Sequence, residues 1–159
     1  MGAKGEALAK QFEAKVKEAT AVLEKLSDAD WKKTTAAEKW TVGVTAHHMA
    51  GAYEPVAHII STVATGQVMP HFTIEMLDQM NAKHAEEHAG CTRPETIAMH
   101  KRGAAAAAAV VRGLSDEQLA KSGIVFTGMP PMTAEQLVMR ALLGHIDEHV
   151  GSIRKTIGG

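Results

Sequence analysis

Two histidines near the end of the chain have the spacing of a pair of metal ligands. His145 and His149 lie four positions apart in an amphipathic stretch that runs from about residue 133 to about residue 157. Because a helix turns about 100° per residue, the two imidazoles lie one turn apart on one side and can bind one ion together. Both fall at the edge of the apolar arc that contains Val138 and Leu142. A catalytic ion at this place would need a third protein ligand and would keep one open position.

The helix predicted for residues 41–64 contains a histidine with a suitable orientation. On its helical wheel, His48 shares an arc with Val44 and Val56, whereas His47 and His58 point to the far side. We therefore expect His48 to face inward and His47 to face away. The chain has nine histidines, so pairs also arise by chance. The alternative interpretation is that these histidines are hydrogen-bonded core residues without a metal.

Four further side chains are candidates for a substrate pocket. His84 and His88 form a second pair one turn apart, on the face of a predicted helix that also carries Met80. Tyr53 is expected near the same pocket if the kink at Pro55 opens it. The alternative for the two histidines is an ordinary polar margin of a helix.

Two other residues have reactive side chains. Glu148 lies about 60° from His145 on the wheel and is the candidate catalytic base, with a solvated surface charge as the alternative. Cys91 follows Gly90 and has no evident activating partner, so we do not expect a catalytic thiol.

Composition limits the classes of partner. The chain has 17 basic and 18 acidic residues, a balance that does not favour nucleic acid or an anionic membrane. The single cysteine excludes an internal disulfide and fits a cytosolic protein. No apolar run approaches the roughly 20 residues of a membrane span, and the first residues lack a signal-peptide pattern. We expect a cytoplasmic protein that acts on a small molecule.

The apolar pattern predicts an all-α fold. Helices are expected at about residues 4–26, 41–64, 73–89, 93–112 and 133–157. Ser27 and the three residues after it are expected to end the first helix, and a loop at 123–132 is expected to contain an extended segment at 124–126. The alanines at 104–109 are interpreted as close packing, not as a linker. The sequence thus predicts one domain, residues 1–159, built as a four-helix bundle with short additional turns.

Two segments resemble the DinB-like superfamily. Residues 40–49, in which Trp40-Thr41-Val42-Gly43 precedes His48, resemble the start of the second helix of that family. Residues 144–154, in which His145 and His149 are followed by a glycine and an arginine, are similar to its final helix. The order and separation of the two segments make the combined resemblance specific, and it extends over nearly the whole chain.

The resemblance implies a bundle in which His48, His145 and His149 bind a divalent ion, and it implies a homodimer. Zinc and nickel are the expected ions, with iron, cobalt and manganese as alternatives, because ligand type alone does not select among them. Members of the superfamily include enzymes that use a low-molecular-weight thiol, namely mycothiol-dependent maleylpyruvate isomerases and bacillithiol transferases. The pair His84 and His88 is not part of the family pattern, so it either lines the substrate pocket or competes for metal.

Three hypotheses follow for function. The first is a metal-dependent enzyme that acts through such a thiol, as a transferase or isomerase. The second is a non-catalytic protein of the same fold that binds metal or a small molecule, for example in a stress response, because a fold does not determine function. The third is a purely structural role for the three histidines.

Overall fold

The structure, a computed structural model, describes residues 2–158 and is mostly helical. Its four long segments are α1 (Ala3–Lys25), α3 (Val42–Gly51) continued by α4 (Tyr53–Ala64), α6 (Arg93–Arg112) and α9 (Gly144–Ile157). Helix α6 packs against α1 and against the α3–α4 segment, while α9 packs against α1 and α3, so the four segments close into a ring. The first and second segments face each other across the core. The predicted all-α four-helix bundle is confirmed.

The core lies along the axis of this ring. The ring of Phe12 from α1 meets Tyr53 from α4 edge-on, with centroids 5.4 Å apart. Helix α6 contributes small side chains, and Ala104, Ala107 and Ala108 are almost fully buried. Small side chains let neighbouring helices approach closely, so the alanine run serves packing as predicted.

The shorter elements connect the bundle. They are α2 (Asp28–Lys32), α5 (Ile74–Glu87), α7 (Asp116–Leu119), α8 (Ala134–Leu137) and the paired antiparallel strands β1 (Ser122–Gly123) and β2 (Met132–Thr133). Helix α1 ends just before Ser27, as predicted, and the side chain of Ser27 also caps α2 in a reciprocal capping box with Asp30. The extended segment predicted at 124–126 was wrong, because the strand pairing lies at residues 122–123 and 132–133.

Helices α3 and α4 meet at Ala52, close to the kink predicted at Pro55. The core-facing arc predicted for this segment is partly confirmed, because Val44 is buried and Val56 packs against the core. A second buried stripe lies beside it: Val42, Ala46, Met49, Tyr53, Ala57, Ile60 and Ala64. The helical wheel favoured the bulky β-branched side chains as the core face. In the structure, α6 packs against the α3–α4 segment, and small and aromatic side chains of this segment are also buried.

The last helical segment is not a uniform α-helix. Thr133 and Gln136 form a capping box at its start. The next turn, Val138–Leu143, is π-helical, and the amide of Gly144 bonds to the carbonyl of Met139, five residues back. This wider turn changes the phase between α8 and α9, and such turns are frequent at functional sites.

Helix α5 lies outside the ring. It packs against α3, and none of its residues is buried. None of the helices within residues 2–158 combines the length and apolar character needed to cross a membrane.

Candidate metal centre

His48, His145 and His149 converge between α3 and α9. The ring centroid of His48 lies 5.2 Å from that of His145 and 5.0 Å from that of His149, and the two rings of α9 are 4.5 Å apart. One ring nitrogen of each residue lies within 4.8 Å of the other two. Ligands at about 2.0–2.1 Å from a tetrahedral zinc ion are about 3.3 Å apart, so small side-chain rotations suffice for coordination.

A carboxylate that the sequence analysis missed completes this cluster. Oε2 of Glu38 accepts a hydrogen bond of 2.7 Å from Nδ1 of His149, and Oε1 accepts one from the hydroxyl of Ser152. The side chains of Glu38 and His149 are only 8% and 7% exposed. Since a carboxylate only accepts, Nδ1 of His149 carries a proton, so Nε2 is the nitrogen that a metal ion could bind. Carboxylate partners of this kind orient histidine ligands in metal sites.

The loop between α2 and α3 positions Glu38. The amide of Thr35 bonds to the carbonyl of Trp40 at 2.8 Å, and Thr34 forms a bridge with Thr41. Lys39, directly after Glu38, has a φ of 64°, a conformation that non-glycine residues adopt only at a cost. The loop therefore holds Glu38 over the last helix at the expense of local backbone strain.

Burial keeps the imidazoles of His48 and His145 neutral. Burial lowers the pKa of His48 to about 4, with further lowering by His149 and His84. Burial, followed by repulsion from His149 and His48, lowers the pKa of His145 to about 3. Burial alone raises the pKa of Glu38, but the hydrogen bonds from Ser152 and His149 outweigh it and hold that pKa below its ordinary value. At neutral pH the cluster thus contains free imidazole lone pairs beside one carboxylate.

The donor set fits a divalent ion. Nε2 of His145 is buried and has no hydrogen-bond partner among residues 2–158. Leaving a buried polar atom unsatisfied costs about 1–3 kcal/mol, which an ion at this nitrogen would remove. Three imidazoles suit borderline ions such as zinc, nickel or cobalt better than magnesium or calcium, which prefer oxygen ligands.

His47 does not face the core, as predicted, but it meets a second pair of histidines. It lies on the α5 side of α3, where its ring is stacked on that of His88 with centroids 4.2 Å apart, and Nδ1 shares a hydrogen bond of 2.8 Å with Nε2 of His84. Burial, reinforced by His88 and His84, lowers its pKa to about 4. The wheel placed His47 away from the core correctly, but it could not show that α5 covers this side. His58 is exposed, as expected.

The remaining predicted site residues lie apart from His145. Tyr53 is fully buried in the core, where its hydroxyl pairs with Nδ1 of His100 at 3.1 Å, so its assignment to a pocket was wrong. The change of direction at Ala52 does not expose Tyr53, because the buried side of α3, which contains Met49, continues into the buried side of α4, which contains Ala57. Met80 is 58% exposed on α5 and lines no enclosed pocket. Glu148 is exposed on α9, and its role as a base stays a prediction.

The Trp-Thr-Val-Gly segment has a structural explanation. A Cβ at Gly43 would lie 2.4 Å from Nε1 of Trp31, so only glycine leaves room for that indole. The indole donates to the carbonyl of Cys91 at 3.0 Å and joins α2 to the start of α6. Trp40 packs edge-on against His48, with centroids 5.1 Å apart. Burial raises the pKa of Cys91, which agrees with the expectation that it is not a reactive thiol.

Comparison with known proteins points to one family. Residues 12–145 match the family described as the mycothiol maleylpyruvate isomerase N-terminal domain, a range that includes His48 and His145 and ends before His149. No curated protein matches the chain.

Two solved structures have a similar fold. The crystal structure of the mycothiol-dependent maleylpyruvate isomerase matches with a TM-score of 0.73 and 14% identity, over 94% of this chain and 60% of that one. The chain therefore spans 60% of the length of this isomerase. YfiT from Bacillus subtilis, described as a probable metal-dependent hydrolase with an unusual four-helix bundle topology, matches with a TM-score of 0.68 and 18% identity, over 98% of this chain and 86% of that one. These likenesses show a shared fold.

Proposed function

The chain belongs to the mycothiol maleylpyruvate isomerase N-terminal domain family, and from that premise we propose that it is a divalent-metal-dependent enzyme acting through a low-molecular-weight thiol, as a transferase or isomerase. His48, His145 and His149 would hold the ion. Zinc or nickel is the proposed ion, with iron, cobalt or manganese as alternatives. The substrate is a small molecule that reacts with the thiol.

One observation carries this proposal. Imidazole nitrogens from two segments nearly 100 residues apart in sequence lie within 4.8 Å of one another, and Nε2 of His145 is buried there without a partner. A structural role for the histidines gives no reason for that unpaired nitrogen, because buried polar groups in native proteins are nearly always hydrogen-bonded. The resemblance of residues 40–49 and 144–154 to the DinB-like superfamily implies the same three residues as ligands.

The residues of the chain would prepare the site for this chemistry. When bound, the ion lowers the pKa of a thiol or water held at its open position and polarises a substrate oxygen. Glu38 fixes the tautomer of His149, so that Nε2 is the nitrogen available as a ligand. Trp40 restricts the ring of His48 from one side. The low pKa values of His48 and His145 keep both side chains neutral and able to bind a cation over the whole physiological range.

Metal-dependent hydrolysis is the second candidate, favoured by the similarity in fold to YfiT. The same three histidines serve this reaction with a water in place of the thiol. A non-catalytic protein that binds metal or a small molecule is the third candidate. We further propose that the chain forms a homodimer in the cytoplasm, acts as one domain over residues 1–159 and does not bind nucleic acid.

The test begins with elemental analysis of protein purified without an affinity tag. Zinc or nickel near one equivalent or more per chain supports the metal site, whereas metal-free protein that takes up neither ion contradicts it. The loaded protein is then incubated with mycothiol or bacillithiol and electrophilic substrates, including maleylpyruvate. Thiol-dependent turnover supports the proposal, thiol-independent hydrolysis of esters or amides supports the second candidate, and tight binding without turnover supports the third.

A further inference from the structure

A second cluster of three histidines lies on the side of α3 that faces α5. His47 of α3 meets His84 of α5 and His88, the residue that caps the end of α5, with ring centroids 4.8 and 4.2 Å from its own. The rings of His84 and His88 are 4.6 Å apart. One ring nitrogen of each lies within 4.8 Å of the other two. This is the same degree of convergence as in the first cluster.

Helix α5, which carries His84, has no buried apolar face to hold it against the bundle. Surface helices are normally held by an apolar face, yet α5 has no buried residue, and it exposes the large side chains of Ile74, Met76 and Met80. Where α5 meets α3, the rings of His84 and His88 contact that of His47. Apolar burial therefore contributes little to holding this helix, and the histidines are the groups placed to do so.

Hydrogen bonding within the cluster leaves ligand capacity unused. Nδ1 of His47 and Nε2 of His84 share one hydrogen bond of 2.8 Å. Nδ1 of His84 is buried without a partner among residues 2–158. Three rings that share a single hydrogen bond between them retain unshared nitrogen lone pairs in a confined space.

We propose that His47, His84 and His88 form a second divalent-metal site, which takes a borderline transition ion such as Zn²⁺, Ni²⁺ or Co²⁺ and fastens α5 to α3. The all-nitrogen donor set selects against Mg²⁺ and Ca²⁺. An ion held by one nitrogen of each ring would add ligand bonds to a cluster that now shares one hydrogen bond.

The two sites are neighbours. His47 and His48 are consecutive in α3, and the ring of His84 lies 5.8 Å from that of His48, centroid to centroid. Helix α5 would thus be fixed beside the first site by its own ion. The second site does not depend on whether the first is catalytic.

Metal stoichiometry tests the proposal. Tag-free protein is stripped with a chelator, dialysed and titrated with Zn²⁺ or Co²⁺, with bound metal measured by elemental analysis. Two equivalents per chain are expected for the wild type and for the exposed control His58→Ala. The double variant His84→Ala/His88→Ala should retain one equivalent, and His145→Ala/His149→Ala should retain one. A His84→Ala/His88→Ala variant that binds as many equivalents as the wild type overturns the second site, whereas a wild type with one equivalent that His145→Ala/His149→Ala retains overturns the first site alone.

Hydrogen exchange of the α5 amides gives a readout independent of stoichiometry. Zn²⁺ should slow exchange in Ile74–Glu87 of the wild type and of His145→Ala/His149→Ala, but not of His84→Ala/His88→Ala. Because α5 contributes no buried side chain, the latter variant should keep the bundle folded, which the exchange of α6 amides verifies. Equal protection of α5 by Zn²⁺ in all three proteins overturns the proposal.

Discussion

The carboxylate of Glu38 accepts a hydrogen bond from Nδ1 of His149 at 2.7 Å, although the two residues are 111 positions apart in sequence. Glu38 belongs to a short loop, whereas His149 belongs to the last helix. This contact makes the loop part of the proposed metal centre. It leaves Nε2 of His149 as the nitrogen that can bind the ion, and the carboxylate of Glu38 supplies a negative charge that compensates the charge of the cation. The consequences for metal affinity can be measured directly.

Glu38→Gln should weaken metal binding while leaving the fold intact. Loss of a carboxylate partner of a histidine ligand typically costs 10–100-fold in metal affinity, or about 1.4–2.7 kcal/mol, because the ring loses its orientation and its compensating charge. Competition with a chromophoric chelator measures the affinity. Glu148→Gln is the matched control, since Glu148 is exposed on the same helix as His149 and should change affinity little. Similar losses in both variants would show that general negative charge, and not the contact to His149, is responsible.

His48→Ala should abolish binding at the first site. Removal of one of three proposed ligands leaves two histidines on one helix, which hold a divalent ion poorly. Isothermal titration with Zn²⁺ should detect the loss of one class of sites. His47→Ala, one position away, should keep that class, because its ring lies on the α5 side of the helix. Retention of the first site in both variants would refute the assignment of His48.

The stability of the metal-free protein should fall as the pH drops below about 6.5. His145 and His48 have folded-state pKa values of about 3 and about 4, below the ordinary value of 6.5. Between pH 6.5 and about 4, the unfolded chain therefore binds protons that the folded chain does not, and the free energy of unfolding decreases with falling pH. Glu38 acts in the same direction at the acid end, because its pKa is lowered in the folded state.

Urea unfolding in the presence of a chelator, at pH 7.5, 6.0 and 5.0, measures this dependence. The double variant His48→Gln/His145→Gln lacks two of the rings with lowered pKa values and should give a flatter profile than the wild type. If wild type and variant had the same slope, the acid sensitivity would have to originate in other groups, for example in buried His100, whose pKa burial also lowers.

Much of the fold and part of the site follow from local sequence. The helix caps at Thr133 and Thr92, the close packing of the alanines in α6 and the pairing of His145 with His149 all depend on neighbours within one or two turns. Glu38 could not be found in this way, because its role arises only when a loop with a strained Lys39 meets a distant helix. A Ser or Thr three residues after a histidine ligand is the only local hint, and Ser152 alone does not identify a carboxylate partner.

Two further features depended on the tertiary structure. The π-helical turn before Gly144 has no proline or other recognisable signal in Val138–Leu143, so the helical wheel was drawn at a constant 100°. His47 was assigned to the outside because an isolated helix has only one buried face, whereas α3 is covered by α9 on one flank and by α5 on the other. The periodicity of a sequence predicts which side of one helix faces the core. It does not predict that another helix, here α5, packs against a second side.

Gly43→Ala should destabilise the protein, because the added Cβ would lie 2.4 Å from Nε1 of Trp31. Overpacking of this kind typically costs about 1–3 kcal/mol, and here it also displaces the indole from the carbonyl of Cys91. Chemical denaturation measures the loss. Gly151→Ala is the matched control, since nothing lies within 4 Å of its Cβ position in α9, and there alanine should stabilise by about 0.5–1 kcal/mol. Trp31→Ala should itself destabilise, but in its background Gly43→Ala should cost little, because the atoms that it would meet are gone. If the two substitutions were additive, steric exclusion of Trp31 could not be the reason for glycine at this position.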